Sequence, residues 1–162
     1  MNLKNFIRSI QDYPKKGILF RDITTLIKDK DAFAEAINQI VERSKKYNFN
    51  KIAAIESRGF VFASAVSYIL KKPFIMLRKK NKLPAKVHSV DFELEYGTAT
   101  IEVHKDSFEK NDNVLIIDDL IATGGTAEAA AKLIKMSDAN VAAFIFVINL
   151  FDLGGCKKLE DN

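Results

Sequence analysis

The sequence predicts an α/β fold: a mainly parallel central sheet with helices on both faces. Three observations carry this. Strand-like segments alternate with helix-like ones along the chain. Three of the strand segments are unbroken apolar runs, as expected of strands covered on both sides. The polar motifs follow the strands, at the carboxyl ends where such sheets hold ligands.

In chain order, residues 2–10 read as a short amphipathic helix. Residues 31–46 read as a longer one, with Phe33, Ile37, Ile40 and Val41 on one face and Asp31 as its N-terminal cap. Residues 51–55 form a short buried strand, and 60–71 a helix carrying Phe62, Val66, Ile69 and Leu70. Pro73 stops that helix, and 74–77 is another strand. Residues 79–90 are polar and basic around Pro84 and read as the longest loop. From 92 to 103 apolar and polar residues alternate on either side of Gly97, predicting a strand pair or one bent strand with a wet face. Residues 114–117 are a buried strand, 126–136 an alanine-rich helix, and 141–148 a last buried strand.

A chain of 162 residues suits one domain with a core. A net charge of +4 permits a small polyanionic ligand, but it is not the concentrated basic face that nucleic acid requires. No apolar run is long enough to span a bilayer, and residues 1–6 lack a signal-peptide core. Cys156 is the single cysteine, so an internal disulfide is impossible. These features predict a cytoplasmic protein without membrane or nucleic-acid partners. His88 and His104 have no ligand-like spacing to each other or to another donor, and no protein-built metal site is expected.

The segment 114–126, VLIIDDLIATGGT, concentrates the chemistry. Its apolar strand gives a rigid floor. Asp118 and Asp119 are then expected where the strand emerges, and two adjacent acids there need a sugar diol, a cation or a basic group as partner. Thr123, Gly124, Gly125 and Thr126 remove bulk and open a helix whose N–H groups can close around an anion. The plainer alternative is a strand, a polar turn and a helix capped by Thr126. The spacing fails the Gly-x-x-x-x-Gly-Lys-Ser/Thr pattern of nucleotide P-loops.

This segment resembles the phosphoribosyl pyrophosphate (PRPP) motif of type I phosphoribosyltransferases. The resemblance implies that Asp118 and Asp119 hold the ribose hydroxyls and that Ala122, Thr123, Gly124, Gly125 and Thr126 hold the 5-phosphate. Residues 14–24, PKKGILFRDIT, are similar to the N-terminal segment of adenine phosphoribosyltransferases, with Lys16 where that family usually has Pro. They imply Phe20 stacking on the base beside Leu19 and Arg21. On composition alone, Leu19 and Phe20 read as core and Arg21–Asp22 as a surface ion pair. Residues 56–60, ESRGF, resemble the family's Glu-Ala-Arg-Gly-Phe and imply pyrophosphate binding by Arg58. Arg58 alone reads equally well as a surface ion-pairing residue.

Residues 78–84, RKKNKLP, resemble the family's mobile loop and imply that Arg78, Lys79 and Lys82 meet the pyrophosphate. Without the resemblance, such a run is more often a solvated surface. Residues 92–97, FELEYG, resemble its Leu-Glu-Tyr-Gly element and imply Glu95 as the catalytic residue aiding proton movement at the base. Alternation places Glu93 and Glu95 on one face, so Glu95 is selected by resemblance only. Residues 149–155, NLFDLGG, resemble bacterial members of the family, and the resemblance implies Leu150 near the base. Ala122 stands where 6-oxopurine relatives usually carry an acid, which fits adenine better than hypoxanthine or guanine.

The resemblance therefore implies a single domain over 1–162, with a hood over 1–30 and a flexible loop and strand pair over 79–105. It implies transfer of phosphoribose from PRPP to adenine, giving AMP and pyrophosphate, with substrate-bound Mg²⁺ and a homodimer. The alternatives are a non-catalytic PRPP-binding regulator on the same fold and a xanthine-type purine phosphoribosyltransferase.

Overall fold

A computed structural model describes residues 1–94 and 97–160. The chain forms two compact units, Met1–Arg43 and Ser44–Asn162.

The first unit corrects the expected helix over 2–10. Only Leu3–Phe6 turn, as a 3-10 helix in which the Asn2 side chain accepts the Lys4 N–H at 3.1 Å. The chain is extended at Ile7 and continues as strand β1, Arg8–Gln11. It pairs antiparallel with β2, Leu19–Asp22, matching Arg8 with Asp22 and Ile10 with Phe20. The apolar spacing at 3, 6, 7 and 10 suits a turn plus a strand as well as one helix, and the distant partner strand decides. Arg8 binds the buried Asp22 through Nη2 at 2.5 Å and Nε at 3.0 Å, and the Thr24 N–H donates to Asp22 at 2.9 Å. Thr24 and Arg8 together hold the Asp22 carboxyl down at about 2. Asp22 therefore pairs with Arg8.

Helix α1 spans Thr24–Lys28 and α2 spans Lys30–Ser44. The cap of α2 is Asp29 rather than the expected Asp31: its Oδ1 accepts the N–H groups of Asp31 at 3.1 Å and Ala32 at 2.9 Å. The buried stripe of α2 runs through Ala32, Ala36, Ile37 and Ile40, leaving Phe33 and Val41 half-buried. Small residues thus take the deepest positions.

The second unit holds a six-stranded sheet in the order β5-β6-β4-β3-β7-β8. Its parallel part is β4 (Phe74–Lys79), β3 (Lys51–Ile55), β7 (Asn113–Ile121) and β8 (Asn140–Asn149). The hairpin of β5 (Val87–Leu94) and β6 (Gly97–His104) adds antiparallel to β4. Strand β5 begins inside the expected loop, which shortens to residues 80–86, because Val87–Val90 pair with Ile101–His104.

Alternation along the buried strands serves two faces. Ala53, Ile55, Val114 and Ile116 pack with Ala129, Ala130, Leu133 and Ile134 of α4 (Gly125–Met136). The intervening Ile52, Ala54, Leu115 and Ile117 are fully buried, as are Phe62, Ala63 and Val66 of α3 (Arg58–Leu70). A last short helix, α5, spans Gly155–Glu160.

At the amino end of β3 and β7, the buried Asp112 ties the two strands together. It accepts from Lys51 Nζ at 2.8 Å, Asn50 Nδ2 at 2.7 Å and the Glu109 N–H at 2.7 Å. Burial alone would raise its pKa, but these donors outweigh that and hold it below the ordinary carboxylate value. Asp112→Ala leaves Lys51 without its counter-charge. It is expected to cost about 3 kcal/mol of stability. Chemical denaturation checks the loss, and the KM values should stay unchanged because this cluster lies at the end of the strands away from the motifs.

Candidate active site

Strands β3, β4 and β7 are parallel neighbours, so the segments leaving their carboxyl ends share one edge of the sheet. There they enclose a cavity of about 370 Å³, in the range of small-molecule sites. Glu56, Ser57 and Arg58 line it from the turn after β3, Lys79 from the end of β4, and residues 118–127 from β7 and the start of α4. The cavity thus unites Arg58, Lys79, Asp118, Asp119, Ala122, Thr123, Gly124, Gly125 and Thr126.

The two acids sit inside β7 and not where the strand ends. The strand continues to Ile121 because β8 is long enough to pair with it, matching Asp118 with Phe146 and Leu120 with Ile148. Their orientation is therefore fixed by a sheet. Asp119 is buried, and Arg58 Nε meets its Oδ2 at 2.6 Å. The basic partner that two adjacent acids demand is thus the cation of the neighbouring motif.

Asp118 accepts the Asp119 N–H at 2.9 Å. Burial first, and then the charge of Asp119, push the Asp118 carboxyl up to about 8. Gly59 makes room for it: a methyl group there would lie 2.7 Å from Asp118 Oδ1 and 3.2 Å from the Ile117 carbonyl oxygen.

Beyond Ile121 the chain turns through Gly124, whose φ of +87° lies in the region that favours glycine. Helix α4 then begins at Gly125. The first N–H groups of a helix have no carbonyl of their own helix to bond, and the helix dipole places positive potential beside them. Its start lines the same cavity as the two acids and Arg58. The cavity can therefore receive an anion at one end and a diol beside the acids.

The cationic loop is held at its stem. Glu56 accepts the Lys79 N–H at 2.9 Å and pairs with Arg78 Nη2 at 3.3 Å. The Lys79 bond, ahead of the Arg78 interaction, holds the Glu56 carboxyl below its ordinary value against the opposing effect of burial. On the other side Glu102, buried in β6, accepts from the Asn81 N–H at 3.1 Å and from the Ser89 hydroxyl at 3.0 Å. Arg78 also donates to the Lys82 carbonyl at 3.4 Å. Arg78 and Lys82 do not line the cavity, whereas Lys79 does.

Glu95 lies outside the described residues. Leu19, Phe20 and Arg21 lie on β2 of the first unit. There Leu19 is exposed, Phe20 meets Tyr13 edge-on with ring centres 5.1 Å apart, and Arg21 donates to the Ser9 hydroxyl. Leu150 directly follows β8, and its N–H donates to the Ile121 carbonyl at 3.0 Å.

Glu56, Gly59 and Phe146 were missed as site residues. Glu56 and Gly59 flank Arg58 in the recognised ESRGF segment, so their neighbourhood was the available signal. Phe146 enters the cavity through its register with Asp118, which no local pattern specifies.

Comparison with known proteins matches this geometry. The family model described as phosphoribosyl transferase domain covers residues 23–161. The adenine phosphoribosyltransferase of Pelagibacter ubique (strain HTCC1062) is 82% identical over 159 residues, 98% of this chain and 91% of that protein. The crystal structure of adenine phosphoribosyltransferase from Thermoanaerobacter pseudethanolicus superposes with a TM-score of 0.94 at 45% identity, over 98% of this chain and 92% of that one. The Saccharomyces cerevisiae enzyme, solved with adenine and an imino-altritol bisphosphate, superposes with a TM-score of 0.90 at 33% identity, over 96% and 91%. The chain belongs to the phosphoribosyltransferase family and, within it, to the adenine phosphoribosyltransferases.

Proposed function

We propose that the chain transfers the 5-phosphoribosyl group of PRPP to adenine, forming AMP and releasing pyrophosphate. The observation that carries this is the convergence of Arg58, the Asp118–Asp119 pair and the start of α4 on one cavity. The residues 122–126 receive the 5-phosphate, Asp118 and Asp119 the ribose hydroxyls, and Arg58 with Lys79 the pyrophosphate. Arg78 and Lys82 join it from the loop. Phe20, Leu19, Arg21 and Leu150 are assigned to adenine, and Glu95 to proton movement at the base.

The adenine nitrogen forms its bond to the anomeric carbon as the bond to pyrophosphate oxygen breaks. The protein orients the two and stabilises the departing charge. Mg²⁺ carried by PRPP would offset the charge of its pyrophosphate. As a hard cation carried on the substrate's own oxygens, it would keep water ligands.

A homodimer in the cytoplasm completes the reading. In support, Val61, Tyr68 and Ile69 form an exposed apolar stripe on α3, a face that a second copy would cover. No helix among the described residues is long and apolar enough to cross a membrane.

A base panel tests the activity. With PRPP and Mg²⁺, adenine is expected to give AMP, while hypoxanthine, guanine and xanthine give no appreciable nucleotide. Turnover of xanthine instead would establish the xanthine-type alternative. PRPP binding without turnover of any base would establish the regulator. Glu95→Ala is expected to lower kcat by about 10²-fold, read in the same assay.

A further inference from the structure

The turn after β8 lies against the residues assigned to the 5-phosphate. The Leu150 N–H donates to the Ile121 carbonyl at 3.0 Å, and the Gly155 N–H to the Ala122 carbonyl at 3.0 Å. Two glycines meet where the backbones touch. A methyl group on Gly124 would lie 3.0 Å from the Gly155 carbonyl oxygen. One on the buried Gly155 would lie 2.4 Å from the Ala122 carbonyl oxygen and 2.9 Å from the Gly124 nitrogen. These two atoms belong to the backbone of the phosphate loop, which cannot turn aside as a flexible side chain can, and Ile121 Cγ1 of a side chain crowds the same point at 2.8 Å. Glu128 of α4, which binds Lys158 of α5 at 2.7 Å, ties the two helices together beyond the contact.

We infer that Gly155 is a positioning residue for phosphoribosyl transfer: its bare backbone sets the height of the loop at Ala122–Gly124 and thereby the 5-phosphate site. It makes no contact with substrate in this role. The inference rests on the assignment of residues 122–126 to the 5-phosphate. The same turn begins at Leu150, assigned to the base, so one short segment braces the phosphate end while carrying a base-side residue.

Gly155→Ala must move the loop. It is expected to raise KM for PRPP by roughly 10- to 100-fold, the scale of a misplacement of about 1 Å, with KM for adenine changed less than about twofold. Phe49→Leu, a core change at the amino end of β3, is the control. It lowers Tm without altering either KM, separating loop displacement from general destabilisation. Thr126→Val tests the underlying assignment. If it leaves KM for PRPP unchanged, the 5-phosphate reading fails. If it raises KM while Gly155→Ala does not, only the role of Gly155 fails.

Hydrogen exchange on the unaltered protein decides the matter should Gly155→Ala not fold. Ribose 5-phosphate carries neither base nor pyrophosphate. Its binding is expected to slow exchange in residues 150–156 together with 121–127. Slowing confined to 121–127 would overturn the inference.

Discussion

Asp118→Asn is expected to lower kcat/KM for PRPP by roughly 10²-fold or more while making the free protein more heat-resistant at pH 9. The two effects have one origin. Asp118 lies against Gly59 and beside Asp119, and its carboxyl is pushed from an ordinary 3.8 up to about 8, chiefly by burial. Between these values the folded chain keeps a proton that the unfolded chain has released. Stability therefore falls as pH rises through that window, and the contribution is lost above about 8.

Asparagine removes this titration and keeps the shape. Its Tm should exceed that of the unaltered chain at pH 9 by at least about 5 °C and match it near pH 4. Calorimetry at the two pH values, with initial rates at saturating adenine, checks both halves. Equal Tm curves for the two proteins would remove the raised carboxyl from the account.

Arg58→Ala carries the second large effect, an expected fall in kcat/KM of about 10³-fold. The guanidinium is the group proposed to supply charge for the departing pyrophosphate, and in the free protein it is the 2.6 Å partner of buried Asp119. Removing it leaves two adjacent carboxylates in the cavity without that cation. Tm should fall as well, most strongly at alkaline pH where both acids carry charge. Arg58→Lys keeps the charge and loses the fork. It should recover part of the stability and less of the rate, because a point charge cannot make the same planar contacts. Steady-state kinetics and thermal melts on the two variants separate these contributions.

Much of this site is legible in the sequence because local chemistry repeats its physical demands. An apolar run, two acids and a Thr-Gly-Gly-Thr turn form one contiguous string, and the strand, acids and helix start occur in that order in the fold. The parallel core is legible for the same reason: strands buried on both faces cannot alternate.

Features that depend on distant partners were not legible. Residues 8–11 become a strand only because 19–22 lie beside them. Asp118 and Asp119 stay within β7 because β8 reaches past them. Asp29 displaces Asp31 as the cap of α2 through a two-residue difference that composition does not resolve. Gly155 looks like one half of an ordinary turn until Ala122 is placed against it.

The contact between Arg58 and Asp119 also makes ligand entry an exchange of partners. A lone pyrophosphate can capture Arg58, but it strands Asp119 next to Asp118. A lone ribose can satisfy the acids, but it leaves the guanidinium without its counter-ion. Only a molecule carrying a diol and an anionic leaving group on one scaffold replaces both lost interactions at once. On the proposed assignments, the resting ion pair thus competes with any ligand that engages only one of its two members.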